Sequence, residues 1–174
     1  MQITKKGNNT MKLSQTINSY LTNKCTLWNV VETISTLDIY KNINVSRSLK
    51  YVENDESDKS LIATVLLWCL KDSPIKDLSN TNNSFIKFLH TIRSSESDFY
   101  NQDIKWIFND DHSCTFKKDN LLFVINDDDS TKRMQLPDEF CDKTILCLNC
   151  NEELHTSYFI DVPSNTFYII EVIK

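Results

Sequence analysis

The chain has 174 residues, 40% of them hydrophobic and 25% charged, with a formal net charge of −5. That composition belongs to a globular chain of one domain, or one small domain plus a remnant, with enough apolar residues for a core. The negative balance, without a Lys/Arg cluster, argues against a general nucleic-acid partner, since phosphate binding needs a basic face. A single glycine, Gly7, stands in the whole sequence. A glycine-rich phosphate loop is therefore excluded, and positive-φ positions fall to the many Asn and Asp residues.

Residues 1–10 read as a disordered tail. Met1 to Lys12 is polar and lacks an apolar signal core. The longest apolar run, Leu61 to Leu70, is too short for a bilayer, which takes about 20 residues. The expectation is a cytoplasmic chain with no membrane segment, whose six cysteines (Cys25, Cys69, Cys114, Cys141, Cys147 and Cys150) are reduced thiols. Sequons at Asn8, Asn44 and Asn82 arise readily in an Asn-rich chain and carry little weight.

In Met11 to Asn23, Leu13, Ile17 and Leu21 recur at helical spacing. Trp28 to Ile34, with Val30 and Val31 at its centre, predicts a short strand. Asp58 is placed to cap a helix from Lys59 to about Leu70, with Pro74 just beyond its end. Ser84 is placed to cap a second helix carrying Phe85, Phe88, Leu89 and Ile92. Near Asp98 the apolar period changes from helical to alternating. Predicted strands follow at Ile104–Phe108, Cys114–Lys117, Leu121–Ile125, Lys132–Leu136, Thr144–Leu148, Ser157–Ile160 and Phe167–Ile173, separated by Asn, Asp and Pro turns. Short strands so spaced predict a β-sandwich, with Leu122, Val124, Ile145, Cys147, Ile169 and Val172 in its core.

The residues from Asn83 to Lys174 resemble the end of fungal and bacterial maltases and oligo-1,6-glucosidases of glycoside hydrolase family 13. The resemblance rests on Phe85-Ile86-Lys87-Phe88-Leu89-His90-Thr91-Ile92-Arg93, which matches the last barrel helix of that family. It continues through Ile104 to Asp110, then Cys114-Thr115-Phe116-Lys117, then Leu121-Leu122-Phe123-Val124-Ile125-Asn126. Leu136-Pro137, the strand from Ile145 to Asn149 and the closing strand from Phe167 to Ile173 complete it, in the same order. Upstream the pattern decays. The family's Asn-His-Asp-x-x-Arg motif has its counterpart at Asn42-Ile43-Asn44-Val45-Ser46-Arg47, and the Gly-Thr-Pro that closes the next helix stands as Asp72-Ser73-Pro74. The Tyr-x-Gly-x-Glu segment and the long substrate loop of the family have no counterpart between Pro74 and Phe85.

This resemblance implies an α+β chain: an incomplete (β/α) barrel remnant of helices and one or two strands over residues 11–97, followed by an antiparallel β-sandwich over 98–174. It also implies an inactive relic of a maltase-type α-glucosidase, with no cofactor. Retaining glycosidases use a carboxylate nucleophile and a carboxylic acid/base. In the family both come from barrel strands that would precede residue 1, and the third carboxylate is replaced here by the neutral Asn44. Asn42, Asn44 and Arg47 are then a substrate-binding relic without catalytic residues. The alternative is a non-catalytic interaction module. The heavy chains of heteromeric amino-acid transporters carry ectodomains that resemble the same glycosidases and serve as partners. The partner is unknown. A strand at Trp28–Ile34 lacking both neighbours, beside an uncovered apolar helix, predicts a loosely packed N-terminal half. Self-association or a partner protein would then hide it.

Other candidates have plainer readings. Cys147-Leu148-Asn149-Cys150 is a C-x-x-C whose zinc-site reading needs two more ligands, with Cys141 and His155 nearest in sequence. Its bland reading is a buried strand thiol beside a turn, and no metal is expected. His90, His112 and His155 are scattered, and no Cys/His catalytic pair is positioned by the sequence. Asp127-Asp128-Asp129 lacks the Gly and Glu of a calcium loop and reads as a solvated turn. Trp28, Trp68 and Trp106 each sit in an apolar run and read as core.

Overall fold

The computed structural model describes residues 13–38, 52, 55, 57–71, 73, 75, 82–94 and 97–173. The chain divides into two compact units, Met1–Asp103 and Ile104–Lys174.

The described part of the first unit is helical. Helix α1 covers residues 13–21. Leu13, Ile17 and Tyr20 form its fully buried stripe. It ends in Asn23 at φ 56, with Lys24 N–H donating to Ser19 C=O at 2.7 Å and Asn23 N–H to Tyr20 C=O at 3.1 Å. This is a Schellman ending with Asn where glycine is usual.

Helix α2, Leu27–Asp38, overturns the predicted strand at Trp28–Ile34. Leu27, Val30, Val31 and Ile34 are buried, and their spacing is that of a helix face, not of alternation. One local feature starts the helix, and two mid-helix hydroxyls are satisfied within it. The Asn29 side chain accepts from Thr26 N–H at 3.0 Å, in the manner of a capping box with Asn at the third position. Thr33 and Ser35 return their hydroxyls to the carbonyls of Asn29 and Val31 at 2.7 and 2.8 Å. The β-branched Val-Val pair favours a strand only weakly, and packing of one face outweighs it. Trp28, predicted to be core, points away from that face and is 37% exposed.

Helix α3, Asp58–Trp68, is capped by Ser57, not Asp58. Asp55 fixes the cap by accepting from Ser57 N–H at 2.9 Å and from its hydroxyl at 3.0 Å. Ile62 through Leu70 are all buried. Trp68 stacks on Phe99, with ring centroids 4.6 Å apart, and its Nε1–H donates to the Tyr100 hydroxyl at 2.8 Å. Helix α4, Ser84–Ile92, is capped by Asn83, one residue before the predicted Ser84, with Ile86 and Leu89 buried. The described helices thus bury the apolar residues that were expected to lie exposed. No unpaired strand stands among the described residues of this unit.

The second unit is all β with two one-sheet layers. Strands β1 (Lys105–Asn109), β2 (Ser113–Lys118), β3 (Leu121–Asn126), β5 (Thr144–Cys147), β6 (Glu152–His155) and β8 (Thr166–Val172) form a six-stranded sheet in the order β1-β2-β3-β8-β5-β6. Strands β4 (Lys132–Gln135) and β7 (Phe159–Val162) form a separate pair. Every pairing is antiparallel. Between the sheets lies a core of Leu122, Val124, Ile145 and Ile170 from one side and Met134, Ile160 and Val162 from the other, closed by Leu136 and Phe140. The α+β chain with an antiparallel C-terminal sandwich is therefore present.

Strand β3 is buried along its whole length. Its other face carries an aromatic row: Phe123 stacks on Phe116 at 4.6 Å, and Trp106 tilts onto Phe116 at 4.9 Å. Ile169, expected beside Leu122, belongs to this opposite face, directly across from Phe123 in the β3–β8 register. Strand β6 was not predicted, because Glu152-Glu153-Leu154-His155 is mostly polar and exposed. Pro137-Asp138, predicted as a turn, opens a single 3₁₀ turn, Asp138–Phe140. The near absence of glycine is met as expected. Asn23, Asp119, Asp142, Asn151 and Asn165 hold the positive-φ positions among the described residues, and none is glycine.

Candidate functional site

Asn42, Asn44 and Arg47 lie outside the described residues, so the structure does not place the substrate-binding relic. Two concavities among the described residues can be built from their side chains.

The larger, about 550 Å³, lies in the β unit. Every residue from Lys132 to Asp138 lines it, although neighbouring side chains on a strand point to opposite faces. A cavity that meets both faces of β4 must run along its edge. Across from it are Ile107 and Phe108 of β1, the terminal strand of the large sheet, at the point where a bulge interrupts the β1–β2 register. The groove therefore runs between β4 and the β1 end of the large sheet. Thr115, 1% exposed, lies at its base, and its hydroxyl has no hydrogen-bond partner among the described residues. Phe159 completes the lining.

Cations sit over both aromatic rings. The Arg133 guanidinium is 5.0 Å from the Phe159 centroid, and Lys132 Nζ is 5.9 Å from that of Phe108. Lys132 is also ion-paired to Asp110. Asp110 in turn accepts from His112 N–H at 2.9 Å, from Ser113 N–H at 2.7 Å and from the Ser113 hydroxyl at 2.9 Å. Partial burial works against its charge, but Lys132 and these donors outweigh burial and hold its carboxyl below the ordinary range. A depressed folded-state pKa contributes stability above the unfolded value and loses it as the pH falls through the folded one. Asp110→Asn should therefore lower the urea midpoint at pH 7. Its deficit relative to the parent should shrink as the pH falls below about 4. A deficit that stays constant from neutral to acid pH would assign the effect to shape and not to charge.

The second concavity, about 470 Å³, lies in the helical unit among Gln15, Thr16, Ser19, Lys24, Cys25, Asn29, Glu32 and Thr33. Cys25 donates to Thr16 C=O at 3.6 Å. Burial raises its pKa despite the nearby Lys59, so it is not an activated nucleophile. Each concavity contains one carboxyl, Asp138 in the groove and Glu32 here. Neither provides the carboxyl pair of a glycosidase.

The remaining sequence candidates are dispersed. His112 and His155 are exposed, and His90 is half-buried with its Nε2 unpartnered among the described residues. Cys141 donates to Pro137 C=O at 3.3 Å, at the end of the groove strand. No three His, Cys, Asp or Glu side chains gather as a metal set among the described residues. Asp127-Asp128-Asp129 forms a turn in which Asn126 Oδ1 accepts from Asp128 N–H at 3.1 Å, and Asn165 N–H donates to Asp128 C=O at 3.0 Å. The groove was not legible in the sequence, because its walls come from segments distant along the chain. Its one local trace was the exposed apolar residues Ile107, Phe108 and Phe159 at strand ends.

No protein-family model matches the chain, and no curated protein matches it. Solved structures do. The α-amylase of Anoxybacillus, described as representing a new glycosyl hydrolase subclass, is similar over 100% of this chain at 10% identity, with a TM-score of 0.56. The α-amylase of Geobacillus thermoleovorans, solved with acarbose, is similar over 86% at 10% identity, with a TM-score of 0.55. The chain spans 47% and 44% of those enzymes, just under half their length. At this identity the likeness concerns fold, and the chain has an α-amylase-like fold.

Proposed function

We propose that this chain is a catalytically inactive relic of a maltase-type α-glucosidase, a pseudoenzyme. One observation carries the reading: the helix and strand segments of the maltase-like pattern after Asn83 fall on elements of their own, in order, within an α-amylase-like fold. The Phe85–Arg93 pattern spans α4, Ile104–Asp110 spans β1, Leu121–Asn126 is β3, and the closing pattern is β8. Inactivity is supported by chemistry. Retention of configuration requires two carboxyl groups about 5–5.5 Å apart, whereas each described concavity has one. By the resemblance the counterpart of the third carboxylate is Asn44, and a neutral amide cannot balance an oxocarbenium-like charge.

The test is direct. Purified protein incubated with maltose, or with a chromogenic α-glucoside, should release no glucose above the buffer rate. Release that a competitive α-glucosidase inhibitor abolishes would overturn the reading.

A further inference from the structure

We propose that Cys147 and Cys150 form a dithiol site that a hydroperoxide converts into a disulfide across the β5–β6 turn. Strand β5 ends at Cys147, β6 begins at Glu152, and residues 148–151 make the turn, with Asn151 at φ 54. The Cys150 thiol donates to Cys147 C=O at 3.7 Å. Residues three apart in such a turn have Cα atoms within about 7 Å. A disulfide accepts about 4.4–6.8 Å, so closure needs rotation of side chains and little movement of backbone.

The turn is held in place from β8. Asn149 Nδ2 donates to Phe167 C=O at 2.8 Å, and Asn149 Oδ1 accepts from Ile169 N–H at 2.8 Å and from the Cys147 thiol at 3.5 Å. Leu148 N–H donates to Ile169 C=O at 2.8 Å. Both cysteines are thus kept on a short, pinned loop, which limits the entropy lost on closing the ring.

Exposure assigns the roles. Of the six cysteines only Cys150 is exposed, while Cys147 is fully buried. Cys150 as thiolate attacks the peroxide O–O bond: an S–O bond forms, hydroxide or alkoxide leaves, and the product is a sulfenic acid. Cys147 Sγ then attacks that sulfur. The S–S bond forms, the S–O bond breaks, and the departing hydroxide takes the Cys147 proton as water. Two thiols and one hydroperoxide give one disulfide, one water and one alcohol (or a second water), with two electrons passing to the peroxide. Burial, and then the neighbouring Cys150, raise the Cys147 pKa. Attack by Cys147 should therefore accelerate with rising pH, as more of its thiol is deprotonated.

The reduced full chain treated with equimolar hydrogen peroxide should lose about 2 Da, all within the peptide spanning Cys147 and Cys150, and dithiothreitol should restore it. Cys150→Ser, a change at an exposed position, should abolish the loss. Cys147→Ser should instead leave Cys150 as a sulfenic acid, about 16 Da heavier and trapped by dimedone. Circular dichroism matching the parent's confirms that each variant is folded. Accumulation of a sulfinic acid on Cys150 with Cys147 still alkylatable would overturn the proposal. So would a disulfide between two molecules in place of the internal one.

Discussion

Asn126→Ala is expected to destabilise the protein by about 1–3 kcal/mol, because it takes the donor from the buried Val162 carbonyl and from two partly buried ones. Asn126 is fully buried at the end of β3. Its Nδ2 donates to Ser130 C=O at 2.8 Å, Pro163 C=O at 2.9 Å and Val162 C=O at 3.0 Å. An amide nitrogen has two hydrogens, so one is shared among these acceptors. The three carbonyls lie just before β4, at the end of β7 and just after it. A single side chain therefore joins the end of the large sheet to both strands of the small one. Alanine removes every one of these bonds and the Asp128 bond to Oδ1. Asn126→Asp is the sharper probe. A carboxylate can only accept, and it would face three carbonyl oxygens in a buried site. Its loss at pH 7 should equal or exceed that of alanine and ease under acid, where protonation restores one donor. Urea unfolding of the two variants at pH 7 and pH 4.5 checks this, the lower pH being about where a raised carboxyl begins to protonate. A loss under about 0.5 kcal/mol for alanine would show that water replaces the amide without penalty.

Asn126 also shows what the sequence could reveal. Leu121-Leu122-Phe123-Val124-Ile125-Asn126 was legible as a strand because apolar residues fill it and turn residues bound it. The same pattern did not say which face was inward, because both faces of β3 are buried and alternation then carries no information. Strand β6 was missed for the opposite reason. It sits at the sheet edge, its side chains are mostly exposed, and backbone pairing with β5 alone makes it a strand. At Trp28–Ile34 the failure was one of period. Val30-Val31 drew attention to β propensity, while Leu27, Val30, Val31 and Ile34 already carried the helical spacing. The groove between β1 and β4 had no linear signature, since its walls meet only through the sandwich. Asn42, Asn44 and Arg47, the residues on which the relic reading leans, were legible only through resemblance.

Trp68→Ala should cost about 3–5 kcal/mol, the range for deleting a fully buried aromatic side chain. Trp68 is fully buried near the C-terminus of α3, its ring on Phe99 and its Nε1–H on the Tyr100 hydroxyl. Phe99 and Tyr100 belong to the one-turn 3₁₀ helix Asp98–Asn101, and their own rings meet edge-on at 5.3 Å. The indole therefore fastens the chain leaving α4 back onto the end of α3. Two milder variants separate packing from hydrogen bonding. Tyr100→Phe keeps the ring and removes the acceptor of the indole N–H, at a cost of about 1–3 kcal/mol. Trp68→Phe keeps an aromatic on Phe99 but removes the donor and part of the volume. If the hydrogen bond matters as argued, the double variant should cost less than the two single variants added together, with a coupling of about 0.5–3 kcal/mol. Amide exchange in residues 60–70 reads the same effect locally, and those amides should lose protection in Trp68→Ala before the amides of β3 do. Strict additivity of the single variants would reduce Trp68 to a space-filling role, with Tyr100 serving only as its neighbour.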